Sequence, residues 1–226
     1  MSNLNFIPPE PTTKWLNVPD KNDRDMELLA EFTFTDSKGV RWVAPKGSKI
    51  NGASIPSSLW STVGSPYTGG YRRASIVHDV ACVNANNDGD RKKADLMFFD
   101  ACIAGGCSKF QANTLFMGVR VGAWWSPPSS TRAMGIPTAQ SRGPDSEESV
   151  KVFRDVQKKL GDRMATASLS EIDALVAASV NKSRGIGLPT RGTKKVVKKK
   201  AAVKKGSAKK EAGKKKAVKK KSVSRS

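Results

Sequence analysis

The residues best suited to chemistry lie in the segment ASIVHDVACV, residues 74–83, which contains His78, the only histidine of the chain, followed by Asp79. The other residues of this segment are mostly apolar, so both ionisable side chains are expected beside a packed interface. Buried ionisable groups are costly unless they are paired, and they tend to gather where reactions occur. The pair therefore predicts either a reactive site or a structural polar cluster.

A partner for His78 is available on the next predicted helix. Apolar spacing in YRRASIVHDVACVNANN and DRKKADLMFFDACIAGG predicts helices over 71–85 and 91–104, joined near Asp88. If the two helices are antiparallel, His78 and Asp95 differ in depth by roughly one turn. The Asp95 carboxylate would then fix the imidazole tautomer and leave the other ring nitrogen as a general base.

Asp79 points about 100° away from His78 on the same helix and could hold a cation beside the base. The glycine-rich loop GSPYTGG before this helix contains Gly64 and Gly69, whose backbone carbonyl oxygens suit calcium together with a carboxylate. We therefore expect calcium as a cofactor, bound by Asp79, Gly64 and Gly69. The structural alternative is that Asp79 pairs with one of the two arginines at the start of the helix.

The segments HDVAC and ADLMF resemble the active site of the secretory phospholipases A-two, most closely the viral and prokaryotic versions. In that pattern a His-Asp pair on one helix faces an Asp on a second helix, behind a glycine-rich loop. The resemblance implies that His78 activates water, that Asp95 orients His78, and that calcium on Asp79 polarises the ester carbonyl. Cys82 stands where the pattern has an aromatic residue.

Other hydrolytic sites fit the sequence less well. Cys82 is one helical turn after His78, which allows a Cys-His dyad as an alternative. A metal-dependent His-Asp phosphohydrolase needs several histidines, and the chain has one. Ser54 in NGASIP lacks the flanking glycines of a nucleophile elbow, so this segment is expected to shape a loop over the helices, with Gly52 in a conformation that other residues resist. The three cysteines are odd in number and expected to be reduced.

A longer resemblance covers about residues 25–123. The segments INGASIPSSLW, GSPYTGGYRRASIVHDVAC, RKKADLMFFDAC and MGVRVGA, in this order and spacing, resemble the phage and prophage family called domain of unknown function 1353. The resemblance implies a phage or prophage gene product with no established activity. Because MSNLNFIPPEP lacks a basic and apolar leader, we expect the protein in the host cytoplasm or associated with the virion. The apolar runs are too short for a transmembrane segment.

The elements around this site predict an α+β fold. Residues 1–27 are rich in proline and polar residues and are expected to form an extended N-terminal arm. A core domain over 28–125 begins with a β-hairpin, because apolar and polar residues alternate on both sides of the turn DSKG. A bundle of three helices follows the hairpin, with Asp90 and Ser108 as the expected N-caps of the second and third.

Beyond a linker over 126–144, residues 145–184 predict a two-helix appendix. Its first helix, DSEESVKVFRDVQKKLGD, has acidic residues in the first turn and lysines in the last, which matches the helix dipole. Its second helix, SLSEIDALVAASVNKSR, has a capping pattern from Ser170 to Asp173.

Residues 185–226 predict a disordered basic tail, because no apolar pattern survives there. The stretch 191–226 holds 17 of the 40 Lys and Arg residues and one acidic residue, a net charge of +16 out of +20 for the chain. Such a tail attracts polyanions by counterion release, so nucleic acid is the expected partner and an anionic lipid surface the second choice. The lysines expected to bind are Lys194, Lys195, Lys198, Lys199, Lys200, Lys204, Lys205, Lys209, Lys210, Lys214, Lys215, Lys216, Lys219, Lys220 and Lys221.

Two functions remain open from the sequence. The first is a calcium-dependent lipid esterase with a His-Asp site, which the basic tail would hold on anionic membranes. The second is a non-catalytic phage structural or accessory protein that uses the tail to bind nucleic acid.

Overall fold

The computed structural model describes residues 4–16, 25–52, 55–64, 68–125 and 147–185. In these residues the architecture is α+β, as predicted, with short strands followed by five longer helices. The strands are β1 Asn5–Ile7, β2 Thr13–Trp15, β3 Met26–Leu28, β4 Phe32–Thr35, β5 Arg41–Ala44 and β6 Lys49–Ile50. The helices are α1 Trp60–Val63, α2 Arg72–Val83, α3 Asp88–Ala104, α4 Lys109–Ala123, α5 Glu147–Leu160 and α6 Leu169–Ser183.

The predicted hairpin is formed by β4 and β5, which pair antiparallel with Phe34 opposite Trp42. The turn between them is built by Asp36, whose Oδ1 accepts hydrogen bonds from the amides of Lys38 and Val40, both at 2.9 Å. An aspartate that accepts from the following backbone amides is the typical start of such a turn. The alternating pattern around DSKG is therefore confirmed as a hairpin.

The N-terminal segment contributes strands to both sheets. The first sheet has the order β1-β4-β5 and the second the order β2-β3-β6. In the first sheet, the Phe6 ring packs against Phe32 and Phe34, with ring centroids 5.6 and 4.8 Å away. Within the described part of the expected extended arm, Asn5–Ile7 and Thr13–Trp15 are strands paired into the sheets, and burial of Phe6 attaches the first of them to the hairpin.

Helices α2, α3 and α4 follow the hairpin, as the periodicity predicts, but two of the expected caps are wrong. Asn87, with an extended backbone, accepts from the amide of Asp90 at 2.9 Å, so Asn87 caps α3 and Asp90 lies inside it. Ser168 rather than Ser170 caps α6 for the same reason. An N-cap residue needs an extended backbone, which the sequence pattern does not show. The cap at Ser108 is confirmed.

The two C-terminal helices share one apolar core with the rest of the described chain. The buried cluster includes Phe32 of β4, Phe116 of α4, Phe153 of α5 and Val176 of α6. The connection between α5 and α6 is also held to α4, because the Asn113 side chain donates to two of its backbone carbonyls, at 2.6 and 3.2 Å. The residues expected to form the linker, 126–144, lie outside the described residues. Of the described helices, none is long and apolar enough to cross a membrane.

Candidate functional site: a buried His-Asp-Arg cluster

The structure brings His78 of α2 and Asp95 of α3 into direct contact. The imidazole Nε2 lies 2.7 Å from Asp95 Oδ1, and both side chains are 0% exposed. The imidazole also packs on the Phe98 ring, with centroids 4.6 Å apart. The prediction that His78 and Asp95 lie at similar heights on adjacent helices is therefore confirmed, and both side chains lie in the interior of the helical layer.

Asp95 is the centre of a longer chain of charges. Its Oδ2 accepts from Arg120 Nη1 of α4 at 2.7 Å, and its Oδ1 lies 3.4 Å from Arg91 Nε, one turn earlier on α3. Arg120 also donates through Nε to Asp173 of α6 at 2.7 Å, and Lys92 reaches the other oxygen of Asp173 at 2.5 Å. We call this set of residues, together with His78, the charge chain. It joins α2, α3, α4 and α6, and its members are His78, Arg91, Lys92, Asp95, Arg120 and Asp173.

Burial and partners set the protonation of the pair. Burial alone would raise the pKa of Asp95, but the hydrogen bond with His78 and the guanidinium groups of Arg91 and Arg120 hold it below its usual value. Burial lowers the pKa of His78, and it does so despite the Asp95 hydrogen bond. Asp95 is therefore anionic and His78 neutral. We assign the imidazole proton to Nε2, which donates to Asp95, and this leaves Nδ1 unprotonated.

Cys82 contacts the same imidazole. Its Sγ lies 3.3 Å from Nε2 and 3.8 Å from Nδ1 of His78. In a Cys-His-Asp site the thiol and the carboxylate need opposite ring nitrogens, because the base must take the thiol proton from the nitrogen that the carboxylate leaves free. Here both crowd Nε2, so the geometry does not support Cys82 as an activated nucleophile.

In the part of the chain that the structure describes, His78, Cys82 and Asp95 form the one group of three His, Cys, Asp or Glu side chains whose ligand atoms lie within 4.8 Å of one another. A thiol and an imidazole are ligands for borderline transition ions and not for calcium, which prefers oxygen. The Asp95 charge is already compensated by Arg91 and Arg120. The contacts of His78, Cys82 and Asp95 are therefore those of a hydrogen-bonded cluster and do not indicate a calcium site.

Asp79, the next residue along α2, faces a different part of the molecule. It is 7% exposed, and its carboxylate accepts from the backbone amides of Asn51, at 2.7 Å, and Gly52. Gly52 has φ +98°, so glycine suits the NGASIP segment at this point. Burial raises the pKa of Asp79 to about 7. A carboxylate that accepts hydrogen bonds from backbone amides in this way is positioned to hold a loop. Amide N–H groups are not ligands for a cation.

The glycines expected to complete a calcium site contact another residue. A Cβ on Gly64 would lie 2.2 Å from the Tyr71 hydroxyl oxygen, and one on Gly69 would lie 3.6 Å from the Tyr71 ring. Gly64 therefore leaves room for the Tyr71 hydroxyl, whereas the distance at Gly69 is an ordinary van der Waals contact. The calcium site formed by Asp79, Gly64 and Gly69 stays a prediction. The arginine alternative fails, because Arg72 and Arg73 both reach Glu10, at 2.6 and 3.6 Å.

A surface groove of about 250 Å³ lies beside the cluster. It is lined by residues of β5, α2 and α3, including Trp42, Val77 and Lys93. The groove thus uses the face of α2 next to the one that carries His78. The imidazole itself stays below the surface.

Sequence reasoning missed most of the partners of these residues. Arg91 had a signal, since it stands four residues before Asp95, the spacing of side chains that meet on one helix face. Arg120 and Asp173 had none, because their contacts depend on how α4 and α6 pack. The lysines expected to bind polyanions, Lys194 to Lys221, lie outside the described residues.

Comparison with known proteins supports the longer of the two resemblances. Residues 26–119 match a family described as "Protein of unknown function (DUF1353)". The match contains His78, Asp79 and Asp95, and it ends one residue before Arg120.

Two curated relatives come from Sinorhizobium fredii (strain NBRC 101917 / NGR234). Uncharacterized protein y4iH is 33% identical over 157 residues, which is 66% of this chain and 61% of the relative. Uncharacterized protein y4jT is 45% identical over 56 residues, which is 25% of this chain and 17% of the relative. The chain thus spans less than two thirds of the length of either relative. No solved structure matches the chain.

Proposed function

We propose that this chain is a nucleic-acid-binding protein in which residues 191–226 bind the phosphate backbone and the folded part is a non-catalytic scaffold. The observation that carries the proposal is the separation of charge. The segment 191–226 has a net charge of +16, whereas the remaining 190 residues have a net charge of +4.

The composition of the tail suits binding without sequence preference. Lysine acts as a point charge toward phosphate, and each contact releases counterions, so affinity falls steeply with salt. Residues 191–226 contain no Phe, Tyr or Trp, so they lack the side chains on which bases stack. Binding is therefore electrostatic and equally strong on duplexes of different sequence.

The folded part supports the scaffold role through the state of its ionisable groups. His78 and Asp95 are 0% exposed, and both Asp95 oxygens are used by partners on its own and neighbouring helices. Asp79 holds the backbone at Asn51. A phage or prophage origin, and a place in the host cytoplasm or the virion, are part of this proposal, because a protein in either place meets DNA.

The test compares two charge-matched variants of the full chain. In the first, six tail lysines become glutamine: Lys198, Lys199, Lys200, Lys219, Lys220 and Lys221. In the second, six exposed lysines of the folded part become glutamine: Lys38, Lys46, Lys49, Lys109, Lys151 and Lys158. Binding to a labelled DNA duplex is measured by fluorescence anisotropy at several salt concentrations.

We expect the tail variant to lose about tenfold or more in affinity and to show a shallower dependence of log K on log salt, since each lost phosphate contact removes about 0.9 from the slope. The variant of the folded part should stay within about threefold of the wild type. Equal losses in both variants would refute binding through the tail.

The lipid esterase is the second candidate, and the 2.7 Å contact between His78 and Asp95 is the observation that favours it. In that mechanism the unprotonated Nδ1 of His78 would take the proton of the attacking water, which requires an opening to the ring. The test is release of fatty acid from mixed-chain phospholipid vesicles, with calcium or with a chelator. Release that needs calcium and is lost in His78→Ala and Asp79→Asn would support the esterase. No release at any calcium level would eliminate it.

A further inference from the structure

The turn between α3 and α4 brings two cysteines together. α3 ends in the sequence CIAGGC, where Gly106 has φ +94°. The amide of Cys107 donates to the Cys102 carbonyl at 3.0 Å, and the amide of Gly106 donates to the Ile103 carbonyl at 3.0 Å. These two bonds define a Schellman motif, which places the side chains of its first and last residues in contact. In this chain those residues are Cys102 and Cys107.

Neighbouring backbone holds the turn in place. A Cβ on Gly105 would lie 1.8 Å from the Gly70 carbonyl oxygen, so the turn packs directly on the segment that leads into α2. A Cβ on Gly70 would lie 3.3 Å from Cys107 Sγ. Because glycine is required on both sides of this contact, the position of the Cys107 thiol is set by the fold and not by a mobile loop end.

The two thiols differ in exposure and in acidity. Cys102 is fully buried, whereas Cys107 keeps 7% of its surface exposed and lies between the exposed residues Gly106 and Ser108. Hydrogen bonding with the Cys102 thiol lowers the pKa of Cys107. Burial raises the pKa of Cys102 well above its usual value. Cys107 is therefore the thiol that a small reagent meets first and the one that ionises more easily.

We propose that Cys102 and Cys107 form a peroxide-reactive dithiol, in which Cys107 is the attacking thiol and Cys102 the resolving thiol. The Cys107 thiolate attacks one oxygen of hydrogen peroxide, the O–O bond breaks, and the leaving hydroxide takes a proton to become water. The product is a sulfenic acid on Cys107. Cys102 sulfur then attacks Cys107 sulfur, the S–O bond breaks, and the hydroxide leaves with the Cys102 proton as a second water. Two thiols are oxidised to one disulfide, and one peroxide is reduced to two waters.

Trypsin makes the test direct, because both cysteines lie in one peptide, 94–109, and Cys82 lies in another, 74–91. The native full chain is treated with hydrogen peroxide, unfolded in iodoacetamide, digested and analysed by mass spectrometry. We expect peptide 94–109 to be two hydrogens lighter and not alkylated, while peptide 74–91 is alkylated at Cys82. Alkylation of all three cysteines, or oxidation of Cys82 at the same rate, would overturn the proposal.

Two variants separate the roles of the thiols. Cys102→Ser should stop at the sulfenic acid, which dimedone traps on Cys107. Cys107→Ser should yield neither product, since the buried Cys102 is not reached. Dimedone on Cys102 in the second variant, or no adduct in the first, would overturn the assignment of roles. Cys82→Ala is the control and should give the same disulfide as the wild type.

Discussion

The surroundings of Asp95 and those of Asp79 shift the pKa of a buried carboxyl group in opposite directions. Asp95 is enclosed between helices, and the hydrogen bond with His78 together with the guanidinium groups of Arg91 and Arg120 holds its pKa below the usual value. Asp79 is almost as deeply buried, but the partners that contact it are backbone amides, and burial raises its pKa to about 7. Burial alone therefore does not decide the charge of a carboxylate. The hydrogen bonds and charges of its partners also contribute.

The two regions also show how neighbouring residues acquire separate roles. His78 and Asp79 follow each other on α2 and point about 100° apart. His78 thus faces α3 and the charge chain, while Asp79 faces the NGASIP segment. A His-Asp dipeptide that looks like one site in the sequence is two structural joints, one between helices and one between a helix and a loop.

The largest effect is expected at Asp95. In Asp95→Asn, the carboxylate that contacts His78, Arg91 and Arg120 loses its charge, and loss of one partner of a buried pair costs about 3–5 kcal/mol. Urea unfolding at pH 7 measures the change in the free energy of unfolding. Asp162→Asn, at an exposed position, is the matched control and should lie within about 0.5 kcal/mol of wild type. A change at Asp95 as small as the control would mean that the charge chain does not stabilise the fold.

The next effect is a pH dependence from Asp79. Its pKa is about 7 in the folded state and near 3.8 when unfolded, so the folded state holds the proton more tightly between these values. Its contribution to stability is therefore present below pH 4 and is lost as the pH rises to 7, by at most about 4 kcal/mol. Asp79→Asn removes this loss, so its stability relative to wild type should increase between pH 5 and pH 8.

Urea unfolding of both proteins at pH 5, 6, 7 and 8 gives the comparison. His78 contributes with the opposite sign, because its pKa is lowered: its share of stability grows as the pH rises toward 6.5. Since both proteins keep His78, the difference between them isolates Asp79. Parallel pH profiles would show that Asp79 is ionised in the folded state like an ordinary carboxylate.

A smaller effect is expected where the charge chain reaches the surface. Asp173 has a side chain that is 17% exposed and bridges Arg120 and Lys92. Solvent screens this end of the chain, so Asp173→Asn should cost about 1 kcal/mol, well below the cost at Asp95. The same urea experiment measures it. An equal loss of unfolding free energy in Asp95→Asn and Asp173→Asn would mean that burial does not determine how much each ion pair contributes.

Much of the fold could be predicted from the sequence, because local patterns decide it. The turn at Asp36, the helices that carry His78 and Asp95, and the cap at Ser108 each follow from periodicity or turn chemistry. The strand at Phe6 could not be predicted, since its partner lies 28 residues away at Phe34.

The site was predictable only in part. Contact of His78 with Asp95 follows from counting turns on adjacent helices, as Asp95 lies seven residues after the joining turn. Arg120 and Asp173 enter through packing of α4 and α6, which no local spacing encodes. Whether Asp79 contacts a cation or an amide depends on where Asn51 lies, and that is set by the second sheet and the loop after it.

The protonation of His78 tests the central claim most directly, and the single histidine makes it measurable. In a nuclear magnetic resonance titration of the full chain, the Cε1–Hε1 group of the imidazole gives one signal, which the single histidine assigns to His78. Burial lowers the pKa of the His78 ring that donates to Asp95, so its chemical shift should titrate with a midpoint below pH 6.5 or not titrate at all. A titration with a midpoint at or above pH 6.5 would contradict the account, because it would describe a ring open to solvent and available as a base.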